Sequence, residues 1–209
     1  MVLTKSSIAI ALGIVIFAIT CAYADENPQD VKRRVGSGNP VDGKDKAAVC
    51  KSCHGEGGDT LSPNIPKLAG QYADYIQRQI YNFQVGTRRD PNMTKISATL
   101  TNRRNLADIA AYFASQNQMI GMPIKNDEGE KLYLDKGCLN CHGEIGKGKP
   151  SYNALFPIIG GQHKEYLIKQ MKDFKTGARD TDISGIMGLL ANQMTDAEIE
   201  AVAEFLSGR

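Results

Sequence analysis

Two five-residue stretches hold four of the five cysteines and two of the three histidines: Cys50-Lys51-Ser52-Cys53-His54 and Cys138-Leu139-Asn140-Cys141-His142. Two thiols three residues apart on one helical turn reach the two vinyl groups along one edge of a porphyrin. The adjoining histidine then turns beneath the iron and supplies a nitrogen. Cys-x-x-Cys-His is the attachment pattern of c-type haem. The sequence therefore predicts two covalently bound haem c groups, one on Cys50 and Cys53, the other on Cys138 and Cys141, with His54 and His142 as axial ligands. Other uses explain less. A thioredoxin-like pair belongs in a βαβ setting, which is absent. A structural zinc would share its four thiolates between two distant stretches. A disulfide framework leaves both adjacent histidines without a purpose.

The ligand on the opposite side of each iron separates electron transfer from catalysis, because a thioether there saturates the metal and raises its potential. Six methionines follow residue 24: Met93, Met119, Met122, Met171, Met187 and Met194. Only Met93 and Met187 hold matching places, each in loop-like sequence seven residues ahead of Leu100-Thr101 or Met194-Thr195. They are the expected second axial ligands. Met171 and Met194 fall on core positions, since a flexible thioether is a common packing residue. His163, the remaining histidine, is expected as a solvated surface residue. No residue is singled out as catalytic.

The elements that must position these groups are written twice. Pro66-Lys67-Leu68-Ala69-Gly70-Gln71 matches Pro157-Ile158-Ile159-Gly160-Gly161-Gln162. Tyr75, Gln79, Phe83, Gly86 and Arg88 match Tyr166, Gln170, Phe174, Gly177 and Arg179. An internal repeat of this length marks two units of one fold. Both are helical: apolar residues recur at helical spacing through 75–83 and 166–174, with Gly86 and Gly177 as stops. Leu106, Ile109, Ala110 and Phe113 form the stripe of a last helix, as do Ile199, Val202, Ala203 and Leu206. Thr195 and Glu198 form a capping box ahead of the second. The expected architecture is all-α: a cytochrome c-like domain at 25–121, a linker at 122–127 and a second domain at 128–209. Units this small are marginal by hydrophobic burial alone, so a bound group must fill each core. Tyr75, Tyr166, Arg88 and Arg179 are candidate donors to haem propionates, and the carbonyls of Pro66 and Pro157 candidate acceptors for the axial histidines.

Composition narrows the setting. Lys plus Arg is 25 against 23 Asp plus Glu in 209 residues, too even a balance for a nucleic-acid binder. Lys5, the apolar run 8–19 and Ala22-Tyr23-Ala24 have the order of a cleaved signal peptide, residues 1–24. The run is shorter than the ~20 residues of a spanning helix. The mature chain is thus expected in the periplasm. Its first residues, with Lys32-Arg33-Arg34, are expected as a disordered tail.

With these motifs in order from Gly38 to about Leu206, the chain resembles the dihaem cytochrome c4 family. The resemblance implies two tandem cytochrome c domains related by a pseudo-twofold, haem propionate edges meeting at their interface. It implies a monomeric, non-enzymatic carrier of single electrons in the respiratory chain, with a quinol-oxidising complex or terminal oxidase as redox partner and at most loose membrane-surface association. Two other roles keep the haems: an electron-accepting subunit of a flavin dehydrogenase, for example a sulfide-oxidising one, and a dihaem peroxidase. The peroxidase needs one iron with a displaceable ligand.

Overall fold

Helices are the only regular elements among the described residues of the computed structural model, which are 27–149, 155–182 and 184–209. Residues 1–24, expected as a signal peptide, lie outside them. The first half carries α1 (Pro28–Val35), α2 (Pro40–Lys46), α3 (Ala48–His54), α4 (Ala73–Gln84), α5 (Pro91–Ser97) and α6 (Arg103–Ala114). The second carries α7 (Asp127–Asp135), α8 (Leu139–His142), α9 (Lys164–Thr176), α10 (Ile186–Asn192) and α11 (Asp196–Ser207). From α2 onward the two halves follow the same order. No described helix is long and apolar enough to cross a membrane.

Each half buries its own cluster. Ala47, Ile76, Ile80, Ile109 and Phe113 bring α4 and α6 together. Tyr133, Leu167, Ile199, Val202 and Phe205 do the same for α7, α9 and α11. Phe113 and Phe205 are fully buried, each stabilising by roughly 1.5–3 kcal/mol. The expected stripes on 103–114 and 196–207 face these clusters, and Thr195 and Glu198 close both bonds of the capping box. α2 crosses α6, and α7 crosses α11, at a glycine. A Cβ on Gly43 would sit 1.9 Å from the Asp108 carbonyl oxygen, and one on Gly129 2.2 Å from that of Ala201.

The basic N-terminal stretch departs from expectation. It is helix α1, begun by the Asn27 cap with Pro28 at the first position. Arg34 is 3 % exposed. Its guanidinium donates to the carbonyls of Ala114 (3.0 Å) and Gln116 (3.1 Å) at the end of α6. Those carbonyls have no partner within their helix and carry its negative end, so a cation there holds the segment down. A Lys-Arg-Arg run shows no apolar stripe, which is why the sequence suggested a tail.

Candidate functional site

Local backbone geometry sets the histidines first. The loop after each Cys-x-x-Cys-His turns on a glycine with positive φ: Gly58 at 84° and Gly146 at 76°. The Gly58 carbonyl accepts from Leu68 and Ala69, and the Gly146 carbonyl from Ile159 and Gly160. This folds the Pro66 and Pro157 carbonyls back over the histidines. His54 Nδ1 donates to the Pro66 oxygen and His142 Nδ1 to the Pro157 oxygen, both at 2.8 Å. With Nδ1 as donor, Nε2 keeps its lone pair. Burial lowers both imidazole pKa values, against the smaller opposing effect of those carbonyl bonds. A neutral ring of fixed tautomer suits an iron ligand.

The methionines come next. Met93 and Met187 lie not in loops but in the first turns of α5 and α10. An aspartate fixes each start. Asp90 Oδ1 accepts from Asn92 N (3.0 Å) and Met93 N (2.9 Å), and Asp182 Oδ2 from Met187 N (2.6 Å). Asp90-Pro91, a cap followed by proline, was a legible helix start.

One continuous cavity of about 610 Å³ runs between the halves. Both cysteine pairs, His54, Met93, His142 and Met187 all line it. Its remaining walls are largely apolar: Ile80, Phe83 and Phe113 on one side, Leu167, Phe174 and Val202 on the other. Burial, then the neighbouring Cys53, pushes the Cys50 thiol up to about 11. Burial likewise pushes Cys138 up to about 11. Among the described residues no three His, Cys, Asp or Glu side chains converge on a metal position, so the thiols are not arranged as a zinc centre.

Between the two sets lies a buried polar network with twofold repetition. Arg88 donates to Gln79 Oε1 (2.9 Å), the Tyr166 hydroxyl (2.7 Å) and Gln170 Oε1 (2.9 Å). Arg179 donates to Gln170 Oε1 (2.7 Å), the Tyr75 hydroxyl (3.0 Å) and Gln79 Oε1 (3.0 Å). Both arginines line the cavity and are 8 % and 7 % exposed. Among the described residues neither has a carboxylate at ion-pair distance. Burial would raise the Tyr75 phenol, but the Arg179 and Arg88 guanidiniums outweigh it and hold the phenol below its usual range. A buried cation without an anion is costly. A largely apolar cleft lined by two cysteine pairs, two imidazoles, two thioethers and two guanidiniums without a carboxylate partner has the groups that would hold a haem in each half.

The sequence singled out those arginines and tyrosines, but not Gln79 and Gln170, which meet only through the two arginines across the halves. His163 is not simply solvated. Its Nε2 lies 2.9 Å from the Thr60 carbonyl of the other half. Met194 is core, 3 % exposed. Met119, just ahead of the linker, is 1 % exposed and lies against Gln162.

Known proteins share this fold and its duplicated sequence. Residues 126–209 match the cytochrome c family. Cytochrome c4 of Pseudomonas aeruginosa is 38% identical over 182 residues, covering 82% of this chain and 89% of the relative. The thiosulfate dehydrogenase electron acceptor of Stutzerimonas stutzeri is 32% identical and covers 82% of each chain. The crystal structure of reduced recombinant cytochrome c4 from Pseudomonas stutzeri superposes with a TM-score of 0.75 at 36% identity, covering 82% of this chain and 99% of that one. The duplicated site and these likenesses together make the chain a member of the cytochrome c4 family, a dihaem electron-transfer cytochrome with covalently bound haem c.

Proposed function

We propose that the protein carries single electrons through the periplasm from a respiratory donor, such as a quinol-oxidising complex, to a terminal oxidase, as a monomer without catalytic activity of its own. Residues 25–121 and 128–209 are its two haem domains, joined by 122–127. Cys50 and Cys53 attach one haem and Cys138 and Cys141 the other. His54 with Met93, and His142 with Met187, are the axial pairs. The single observation that carries this reading is that all eight side chains line one cavity in two equivalent sets.

The iron supplies a one-electron couple, and the chain's own groups hold that couple steady. The Pro66 and Pro157 carbonyls fix the imidazole planes. Asp90 and Asp182 fix the methionine backbones. The apolar walls exclude water, so little reorganises when charge changes. With Met93 and Met187 bound to the two irons, no coordination position would stay open for a substrate, which speaks against a peroxidase. Two haems held in this one cavity would allow an internal hop or storage of two electrons.

The similarity to a thiosulfate dehydrogenase electron acceptor supports a second reading: a carrier that takes its electrons from a dehydrogenase. Stopped-flow mixing decides between them. The reduced mature protein is expected to be oxidised rapidly by vesicles bearing a haem-copper oxidase, faster at low salt. Rapid reduction by a dehydrogenase, with no oxidation by such vesicles, would favour the second reading.

A further inference from the structure

Each copy carries a Gly-Gln dipeptide, Gly70-Gln71 and Gly161-Gln162, and both glutamines are buried, at 4 % exposure. They reach into opposite halves. Gln162 Oε1 accepts from Lys67 N (2.9 Å) and its Nε2 donates to the Lys67 carbonyl (3.0 Å). Gln71 Oε1 accepts from Ile158 N (3.0 Å) and its Nε2 donates to the Ile158 carbonyl (2.7 Å). Each Oε1 also accepts the next backbone N–H, from His163 or Tyr72, at 3.1 Å, which fixes the side chain.

The N–H of Lys67 and the carbonyl of Pro66 are two ends of one peptide group. So are the N–H of Ile158 and the carbonyl of Pro157. The chain of hydrogen bonds is therefore His54 Nδ1–H to the 66–67 peptide to Gln162, and His142 Nδ1–H to the 157–158 peptide to Gln71. A bond accepted from the N–H end of a resonant amide moves electron density to its oxygen and strengthens the bond at the other end. A stronger acceptor at Nδ1 makes the imidazole a more basic ligand, and a more basic ligand favours the oxidised iron. Ile158 is 1 % exposed and Lys67 9 %, so water does not replace the glutamine as acceptor.

We propose that the wiring is crossed: Gln162 tunes the haem held by His54, and Gln71 the haem held by His142. Each glutamine is a positioning residue for the haem of the opposite half. This rests on His54 and His142 being the axial ligands. It makes the two potentials respond to how the halves are docked.

The test is a potentiometric titration of the dihaem protein carrying Gln162→Leu or Gln71→Leu, with Gln162→Met and Gln71→Met in case the leucine variants fail to fold. Loss of the acceptor is expected to raise the potential of the opposite haem. The reduced-to-oxidised ratio at fixed potential then changes about two- to threefold, or ~18–28 mV at 59 mV per tenfold. Gln162→Glu, which keeps an acceptor, should not raise it. The affected haem is identified by which axial imidazole Nδ1–H resonance moves in histidine-labelled reduced protein. A merely loosened interface would admit water and lower both potentials, which overturns the proposal. So does a shift confined to the glutamine's own half, or no shift. Absence of two ligated-imidazole signals in the unmodified protein would instead overturn the ligand assignment on which the proposal rests.

Discussion

Arg88 and Arg179 share their acceptors: both guanidiniums donate to Gln170 Oε1, at 2.9 and 2.7 Å, and both to Gln79 Oε1, at 2.9 and 3.0 Å. Two like charges buried this closely repel strongly in a medium of low dielectric. Neutral amide and phenol oxygens satisfy their N–H groups but not their charge. Haem propionates would supply the anions that this interface lacks, and binding them would then help to hold the halves together.

Replacing Arg179 with Gln should therefore lower at least one haem potential, because a positive charge that favours the reduced state is gone. A change of about tenfold in the redox equilibrium, ~59 mV, is expected. Optical potentiometry reads it directly, and unchanged potentials would show that the guanidinium is neutralised elsewhere.

Met93→Ala and Met187→Ala should each convert one haem to a high-spin form and leave the other low-spin. Electron paramagnetic resonance of the oxidised variants should show about half of the iron changed in each. A variant with both haems unaltered would remove that methionine from the ligand set.

The helix crossings give a stability prediction independent of redox chemistry. Gly129→Ala forces a methyl to within 2.2 Å of the Ala201 carbonyl oxygen, so α7 must move off α11. Overpacking of this kind costs about 1–3 kcal/mol. Thermal unfolding should show the loss, with haem potentials little changed. A melting temperature equal to that of the parent would mean that α7 has room to shift.

Asp108 links α6 to the start of α2. It accepts from Asn39 N at 2.8 Å and pairs with Lys46 Nζ at 2.5 Å. The Asn39 bond first, then Lys46, holds its carboxyl below the usual range. A carboxyl depressed in the folded state stabilises fully above the unfolded pKa, near 3.9, and loses that contribution as pH falls through the folded value. Asp108→Asn should thus be less stable than the parent at neutral pH, with the gap closing in acid. A gap independent of pH would contradict this assignment.

Much of this architecture was legible because duplication made weak signals corroborate one another. Met93 alone is one thioether among several, while Met93 and Met187 at matched distance from Leu100 and Met194 form a pattern. The helices of 73–84 and 164–176 followed from apolar spacing. What escaped the sequence depends on contacts between the halves. Gln71 and Gln162 look like ordinary polar loop residues until the cross-packing sets each on the other half's peptide. Arg34 belongs to a basic run whose order comes from two carbonyls some 80 residues away. His163 found the Thr60 carbonyl by the same route. One-dimensional periodicity carries no information on such pairings.

Two equivalent His/Met sites would make this chain a two-electron store with saturated irons. Anaerobic potentiometric titration of the purified mature protein, followed optically, tests it most directly. Two low-spin one-electron waves, both at clearly positive potentials, are expected. One high-spin haem, or one wave at strongly negative potential, would contradict it.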